Sequence, residues 1–424
     1  MVNKNSIVLR IIRRALRVIK KIPQAPFFLL SMPFTLILIM AFPFVKIKFI
    51  RLCSNRIGHY AMNTELLLCY LDEIKNNEKN IKYYFYLLDA PVCNNQLHTM
   101  WKRMIFIVPF TKLISKIDLS LLFIFGSRYK NSALKKFEMS QGNQDINGYF
   151  KKYTPHLSFI NDEIKRGENL LLQLGIPKGA SFVCLYARDA TYLNTVYPKN
   201  DWSYHFYRDC NIHNFSTAAL YLANKGYYVV RMGKVVASAF EVDHPNIIDY
   251  STNQLRSDFG DIYITAQCKF FISTSAGLDG IAQIFRKPIL FVNVAPFKNQ
   301  LQFWYPCEYF ITKKFFDKTK NACLSAQYIE EKIKNHGNLQ KLFVENNWEI
   351  LENSADEILQ ATIEMENYFS HTDMKYSENP FHVLLKKSLT LSIIPERDFL
   401  KFNVEKFYIK PCDQFWKNNS HLFF

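Results

Sequence analysis

The sequence predicts an α/β protein made of two doubly wound, Rossmann-like domains facing a cleft, preceded by a basic and apolar N-terminal segment that associates with a membrane. Three observations carry this. Short apolar runs alternate with helical stretches twice along the chain, which is the pattern of parallel sheets covered on both faces. The two stretches are separated by polar residues 125–160, which include Gly142, Gly148 and Pro155. The charge is also lopsided: of a net +16, eleven Lys+Arg precede the first acidic residue, Glu65, leaving only +5 for the other 360 residues. A basic arm on a nearly balanced body follows, and a nucleic-acid binder basic throughout is disfavoured.

The N-terminal segment comes first. Val8, Ile11, Ile12, Ala15, Ile19 and Ile22 recur at helical spacing, and Arg10, Arg13, Arg14, Arg17, Lys20 and Lys21 recur on the opposite face. Residues 22–45 then carry no charge at all, a run long enough to span a bilayer but broken by Pro23, Pro26, Pro33 and Pro43. A cleaved signal peptide fits poorly, because the run is too long and cations follow it. A spanning helix, a monotopic attachment to one leaflet and simple packing onto the first domain stay open. The basic face favours peripheral or monotopic attachment to an anionic surface.

In the first body domain, residues 46–155, strands are predicted over 47–53, 81–88 and 105–108, with helices over 63–73 and 95–102. In the second, residues 156–345, a helix near Leu170 precedes strand 182–187, helix 213–224 and strands 227–231 and 247–250. Helix 257–268, strand 269–273, helix 278–285 and strand 288–293 complete it, and residues 346–424 read as a helical return across the first domain. The nine cysteines are odd in number and hold no C-x-x-C pair, so they read as reduced thiols.

Absences narrow the chemistry. There is no G-x-G-x-x-G, P-loop, G-x-S-x-G or H-E-x-x-H. Asp258-Phe259-Gly260 lacks every companion of the kinase motif it spells. No Asp-x-Asp is present, Glu241-x-Asp243 being the nearest, so no metal is expected in a sugar-transfer scheme.

In open α/β sheets, ligands bind beyond the carboxyl ends of the strands. The strand ends of the second domain read Tyr186-Ala187-Arg188-Asp189, Val230-Arg231-Met232-Gly233, Ile248-Asp249-Tyr250 and Ser273-Thr274-Ser275-Ala276-Gly277. Two arginines with a hydroxyl-rich turn at a helix start make a diphosphate cradle, through bidentate donors and free helix N–H groups. The structural alternatives are an N-cap for the turn and ion pairs for the arginines.

Several segments are similar to a family of glycosyltransferases from bacterial surface-polysaccharide loci. They are Arg56-Ile57-Gly58-His59 with Asn63-Thr64-Glu65-Leu66, Cys93 to Leu97, Tyr207-Arg208-Asp209, Gly226 to Gly233, Ile248 to Tyr250 with Ser257-Asp258-Phe259, and Cys268 to Gly277. The helix after Leu351-Glu352-Asn353-Ser354 completes the set, and the resemblance runs from about residue 20 to 366. The second domain also resembles, more distantly, the donor domain of GT-B fucosyltransferases. That resemblance implies a GT-B-like fold and a donor diphosphate held by Arg188 and by Ser273, Thr274 and Ser275. It departs at Asp189, where those enzymes commonly have a second arginine. Tyr207-Arg208-Asp209, in a loop after Trp202, would grip the nucleotide or sugar, an internal Arg–Asp ion pair being the structural alternative, and Ser257 and Asp258 complete the expected donor-side set. A GT-B reading places an acceptor base in the first domain: His59 would take the acceptor proton, with Glu65 orienting it or acting in its place. A histidine capping that turn is the structural alternative.

The reading is therefore a transferase using a nucleotide-sugar co-substrate and no cofactor. It would glycosylate a lipid-linked glycan, lipopolysaccharide or capsule acceptor at the cytoplasmic face of the bacterial inner membrane, and bind no nucleic acid. A non-catalytic membrane scaffold on a degenerate transferase fold is the alternative.

Overall fold

The computed structural model describes residues 25–75, 80–88, 90–295, 308–325, 328–329, 331–332, 339–370 and 411–422. The amphipathic stretch 8–22 lies outside the described residues. The chain divides into two compact units, one of residues 1–93 and 101–143, the other of residues 94–100 and 144–424. Among the described residues no helix is long and apolar enough to cross a membrane.

The first unit contains α1 (Ala25–Ala41), β1 (Lys46–Leu52), α2 (Ile57–Ile74) and β2 (Ile81–Leu87). α3 (Asn95–Met104) follows, its residues 95–100 belonging to the second unit, then α4 (Thr111–Phe125) and α5 (Ser132–Phe137). β1 and β2 pair in parallel, Lys46 opposite Ile81 through Leu52 opposite Leu87. The predicted strand 105–108 survives only as a bridge between Ile107 and Phe85. Pro109 follows it directly and has no N–H to extend a ladder. Among the described residues this unit therefore has a strand pair with helices, not the doubly wound sheet predicted for it. Its core joins Phe49 and Tyr86 from the strands to Ile117, Leu121 and Tyr129, with Leu38, Ile39 and Phe42 packed against them.

The second unit contains α6 (Tyr149–Lys152), α7 (Asn161–Gln173), β3 (Phe182–Tyr186), α8 (Thr191–Val196), a 3-10 turn (Ser203–Arg208) and α9 (Ser216–Asn224). Next come β4 (Tyr228–Arg231), β5 (Ile247–Asp249), α10 (Asp258–Gln267), β6 (Phe271–Ser273), α11 (Asp279–Ile284), β7 (Ile289–Val294) and β8 (Glu308–Thr312). The six strands form one sheet in the order β5-β4-β3-β6-β7-β8, and every pairing is parallel. Central strands β6 and β7 are buried along their whole length, as a sheet covered on both faces requires. The chain moves outward from β3 to β5, then returns to lay β6 on the other side of β3. That reversal is the topological switch point, where the loops leaving β3 and β6 diverge and open a crevice.

A smaller antiparallel sheet follows, formed by β9 (Lys314–Asp317), β10 (Ala322–Leu324) and β11 (Trp348–Leu351), with α12 (Leu339–Glu345). Its core of Phe315, Phe343 and Trp348 receives Phe206 and Tyr207 from the 3-10 turn, so the segment before Arg208 is held by packing. α13 (Ala355–Ser370) and α14 (Asp413–Asn419) close the described chain. Glu364 of α13 accepts the Asp413 and Gln414 N–H groups at the start of α14 (2.7 and 2.8 Å), and Trp416 packs on Phe310 of β8. Residues 411–422 are thus built into the second unit.

Gly260 shows how tightly this unit packs. A Cβ there would lie 2.0 Å from the Tyr250 hydroxyl and 3.0 Å from Leu170 Cδ2. That hydroxyl accepts the Ser257 N–H at 2.9 Å, so it cannot move freely. The glycine of Asp258-Phe259-Gly260 is there for helix packing. Gly260→Ala is expected to destabilise by about 1–3 kcal/mol, read by urea denaturation; a change below about 0.5 kcal/mol would contradict this packing account.

Candidate functional site

The residues with the most chemical potential converge where β3 and β6 end. Arg188 follows β3, and its backbone N–H donates to Thr274 Oγ1 across the switch point (2.9 Å). Its guanidinium is buried and pairs with Asp209. Arg208, the last residue of the 3-10 turn, donates from Nη2 to the Ser275 carbonyl. Ser275 holds a left-handed backbone (φ 58°), which turns that carbonyl toward the arginine. Burial, and then the nearby charge of Arg188, lower the Arg208 pKa from its ordinary value. The two arginines are therefore close enough to repel.

A third cation joins them. Lys313, immediately after β8, is only 2% exposed. Its ammonium donates to the Asp209 backbone carbonyl. Burial lowers its pKa, although Cys210, Glu352 and Asp209 oppose that. The Asp209 carboxyl is raised by burial, against the pull of Arg188 and Lys313. Burial pushes the Cys210 thiol up to about 12, so this cysteine stays a neutral part of the wall. Lys313 was missed because no strand is predicted beyond residue 293; a lysine two residues after the apolar run Tyr309-Phe310-Ile311 was the available signal.

The hydroxyl turn behaves differently from expectation. The Asp279 carboxylate accepts both the Ser273 hydroxyl (3.1 Å) and the Ala276 N–H (2.7 Å). Two donors of the turn, the Ser273 hydroxyl and the Ala276 N–H, are therefore taken by the chain's own aspartate. Thr274 is buried and holds Arg188 in place, and Gly277 is exposed at the mouth of the turn. Cationic side chains thus stand beside a turn that Asp279 partly ties down, while the N-cap of α11, Leu278, has no side-chain cap.

Burial raises the Asp279 carboxyl from 3.8 to about 6, against the bonds from Ala276 and Ser273. A carboxyl raised on folding binds its proton more tightly in the native state, so its stabilising effect is complete below about pH 3.8 and is lost as pH rises through about 6. Asp279→Asn keeps the acceptor oxygen without the charge. Its stability relative to the parent is expected to rise by about 2–3 kcal/mol between pH 4 and pH 7.5. Urea titrations at both pH values check this, and an unchanged difference would show that Asp279 does not titrate in that window.

Other predicted site residues are placed elsewhere. Arg231 is 1% exposed and held by Asp249 (3.2 Å), Ser251 and the Ser238 carbonyl (3.2 Å). It is a brace within β4 and β5, not a ligand for leaving phosphates. Burial would raise the Asp249 carboxyl, but bonds from Ser251, the Phe240 N–H and Arg231 leave it below its ordinary value. A Cβ at Gly233 would come 2.6 Å from Val236 Cγ1, so packing explains that glycine. Asp189 accepts the Thr191 and Ala237 N–H groups (2.8 and 3.0 Å) and ties two loops together. Ser257 is the N-cap of α10. Asp258 receives the Asn95 N–H (2.9 Å) and the Lys234 ammonium (3.3 Å). Each of these two is committed to local structure.

In the first unit, helix α2 begins at Ile57, so His59 sits in its first turn and not in a loop before it. Glu65 lies on the same helix and is fully buried (0% exposed). Residues six apart on a helix point about 120° apart and stand about 9 Å apart along the axis. The expectation that Glu65 orients His59 is therefore not met by α2, since i,i+3 or i,i+4 spacing would be needed.

No known protein-family model matches the chain, and no curated protein does either. Among solved structures, a glycosyl transferase of family 9 from Veillonella parvula DSM 2008 is similar at 10% identity, covering 58% of this chain and 80% of its own, with a TM-score of 0.36. The E. coli ADP-heptose LPS heptosyltransferase II is similar at 14% identity over 59% of this chain and 86% of its own, TM-score 0.30. The E. coli heptosyltransferase WaaC with ADP gives 11% identity, 69% and 98% coverage and a TM-score of 0.31. At such identities and scores the functional reading has to stand on the geometry of this chain's own residues.

Proposed function

We propose that the second unit binds the diphosphate of a nucleotide-sugar donor at Arg188, Arg208 and Lys313, and that the chain is a glycosyltransferase. The single observation behind this is the three-cation cluster at the β3/β6 switch point. Three basic groups crowd together with burial already working against two of them, while Asp209 is the carboxylate paired with Arg188. A protein tolerates such like-charge crowding where an anion is to be held.

The chemistry follows from the charge. Transfer breaks the bond between the sugar's anomeric carbon and the donor's phosphate oxygen, leaving negative charge on the diphosphate. It forms a bond from that carbon to an acceptor hydroxyl oxygen, whose proton passes to a base. Fixed cations facing the leaving oxygen lower the barrier most when charge develops there. They also supply what a metal otherwise would, so donor binding is proposed to be metal-independent. His59, half-buried on α2, is the proposed base, and a lipid-linked glycan or lipopolysaccharide the proposed acceptor, at the cytoplasmic face of a bacterial inner membrane.

The test is thermal-shift screening of the purified chain against purine and pyrimidine nucleoside diphosphates and nucleotide sugars, with and without chelator. A bound donor at a hundred times its Kd adds about 2.7 kcal/mol of stability, a readily measured rise in Tm. A rise that survives chelator is expected for at least one nucleotide. No shift with any of them would overturn the reading and favour a non-catalytic scaffold.

A further inference from the structure

We propose that α1 and α4 together form a platform that lies flat on one leaflet of an anionic bilayer, with α1 parallel to the membrane and not crossing it. The inference concerns where the protein sits and is independent of the transfer chemistry.

The first observation is that α1 is inside out. Its sequence, APFFLLSMPFTLILIMA, has two hydroxyl side chains and no charge. Both hydroxyls, Ser31 and Thr35, are on the buried side, each bonded back to a carbonyl of its own helix (2.7 and 2.8 Å). The outward side carries Leu29, Leu30, Leu36, Ile37 and Met40, all exposed, with exposed Phe44 just beyond. A surface helix in water shows the opposite arrangement. A contiguous apolar face of this kind marks a surface that something covers.

The second observation extends the face to α4. Phe42, in the turn just after α1, stacks on Phe125 of α4 (3.9 Å between centroids), and Lys112 of α4 lies over the Phe27 ring of α1 (5.8 Å). The two helices thus run side by side in the same direction. On α4, Leu119 and Phe123 are one turn apart and exposed, Phe123 by 90%. Lys112 and Lys116 stand on the turns before them, at i,i+4 and i,i+3 spacing. The four share one face of α4, so the lysines continue the apolar stripe along the helix, where their long stems can lie on apolar surface and carry the ammonium up to the headgroups.

Charge chooses the occupant. The chain ahead of α1 holds seven Lys+Arg and no acidic residue, and Lys46 and Lys48 follow it. An anionic leaflet complements both the apolar face and the cations around it, whereas a second copy of this chain would bring a like-charged surface against it. Length and packing choose the mode. Seventeen residues reach about 25 Å, short of a hydrocarbon core of about 30 Å. Leu38, Ile39 and Phe42 are also held against the core of the first unit, so α1 cannot be withdrawn across a bilayer without breaking it.

The experiment is flotation of the full chain with phosphatidylcholine vesicles, with and without about one third phosphatidylglycerol, for the parent and for Leu29→Asp, Leu36→Asp and Phe123→Asp. The parent is expected to float with anionic vesicles and far less with neutral ones, and each substitution to reduce partition about tenfold or more. Because these side chains are exposed, thermal unfolding of each variant in the absence of lipid should match the parent, which separates lost docking from lost fold. Binding unaffected by Phe123→Asp would exclude α4 and overturn the platform. Equal binding to neutral vesicles would overturn the charge argument. No vesicle binding, with a light-scattering dimer that Leu36→Asp dissociates, would assign the face to a second copy. A chain that floats yet binds no nucleotide keeps this inference and loses the transferase reading.

Discussion

Arg188→Ala is expected to weaken nucleoside-diphosphate binding by about 10²–10³-fold and to reduce turnover at least as much. That is the scale for removing a charge-assisted donor aimed at developing negative charge. Asp279 has already taken the Ser273 hydroxyl and the Ala276 N–H of the β6 turn, two donors that could otherwise compensate. The fold should survive. The bond that joins β3 to the β6 turn runs from the Arg188 backbone, not its side chain. The carboxylate left behind, Asp209, is 32% exposed at its side chain and still faces Lys313. Arg188→Lys separates charge from geometry: a lysine keeps the charge and loses the planar fork, so partial recovery of binding with poor turnover is expected. Titration calorimetry of the nucleotide found by thermal shift is the measurement. Binding within threefold of the parent for Arg188→Ala would remove this arginine from the diphosphate site.

Asp209 yields the opposite expectation from the same contacts. It neutralises Arg188 in the ligand-free chain and sits where an incoming phosphate would compete for it. Any nucleotide binding measured at Arg188 is thus net of displacing this carboxylate.

How much of this was legible in the sequence depends on how local the cause was. The second sheet could be read because each strand is a short apolar run bounded by polar residues, a property of the segment itself. Arg188 and the Ser273 to Gly277 turn could be read because strand ends in a parallel sheet share one edge. What failed depended on how the chain folds back on itself, which no local pattern states. Nothing near Arg231 says that Asp249, Ser251 and Ser238 will enclose it. Nothing near Ser273 says that Asp279 will fold back to occupy the turn, although an aspartate six residues on was visible. Lys313 lies beyond the last strand that was read and reaches Asp209, 104 residues earlier. In the first unit the strand at 105–108 failed because apolar composition is necessary for a ladder but not sufficient.

The largest stability effect is expected in the first unit, at Lys130. Its side chain is 0% exposed and its ammonium bonds to Asp118 (2.7 Å) and Glu138 (2.6 Å). Asp118 also accepts the hydroxyls of Tyr86 (2.7 Å) and Tyr129 (2.8 Å), and Tyr129 in turn accepts the Phe49 N–H (2.9 Å). Glu138 accepts the Arg51 N–H (2.9 Å). One lysine therefore neutralises two carboxylates that fasten both edges of the β1/β2 pair, to α4 on one side and to the end of α5 on the other. Lys130→Ala leaves both acids without their counter-ion: burial already raises the Glu138 carboxyl, and Lys130 is the largest influence holding it down. Removing one partner from a buried ionic cluster costs about 3–5 kcal/mol, enough to unfold a marginal domain at 37 °C. Lys130→Met is expected to be nearly as damaging, since it restores volume and not charge. With the lysine gone the two acids repel, and protonation of Glu138 relieves this, so the deficit should shrink as pH falls through the carboxyl range. Urea denaturation of both variants between pH 5 and pH 8 measures the cost and its slope. A loss below about 1 kcal/mol, or one independent of pH, would mean that the two strands are held by apolar packing and that the charges merely accompany it.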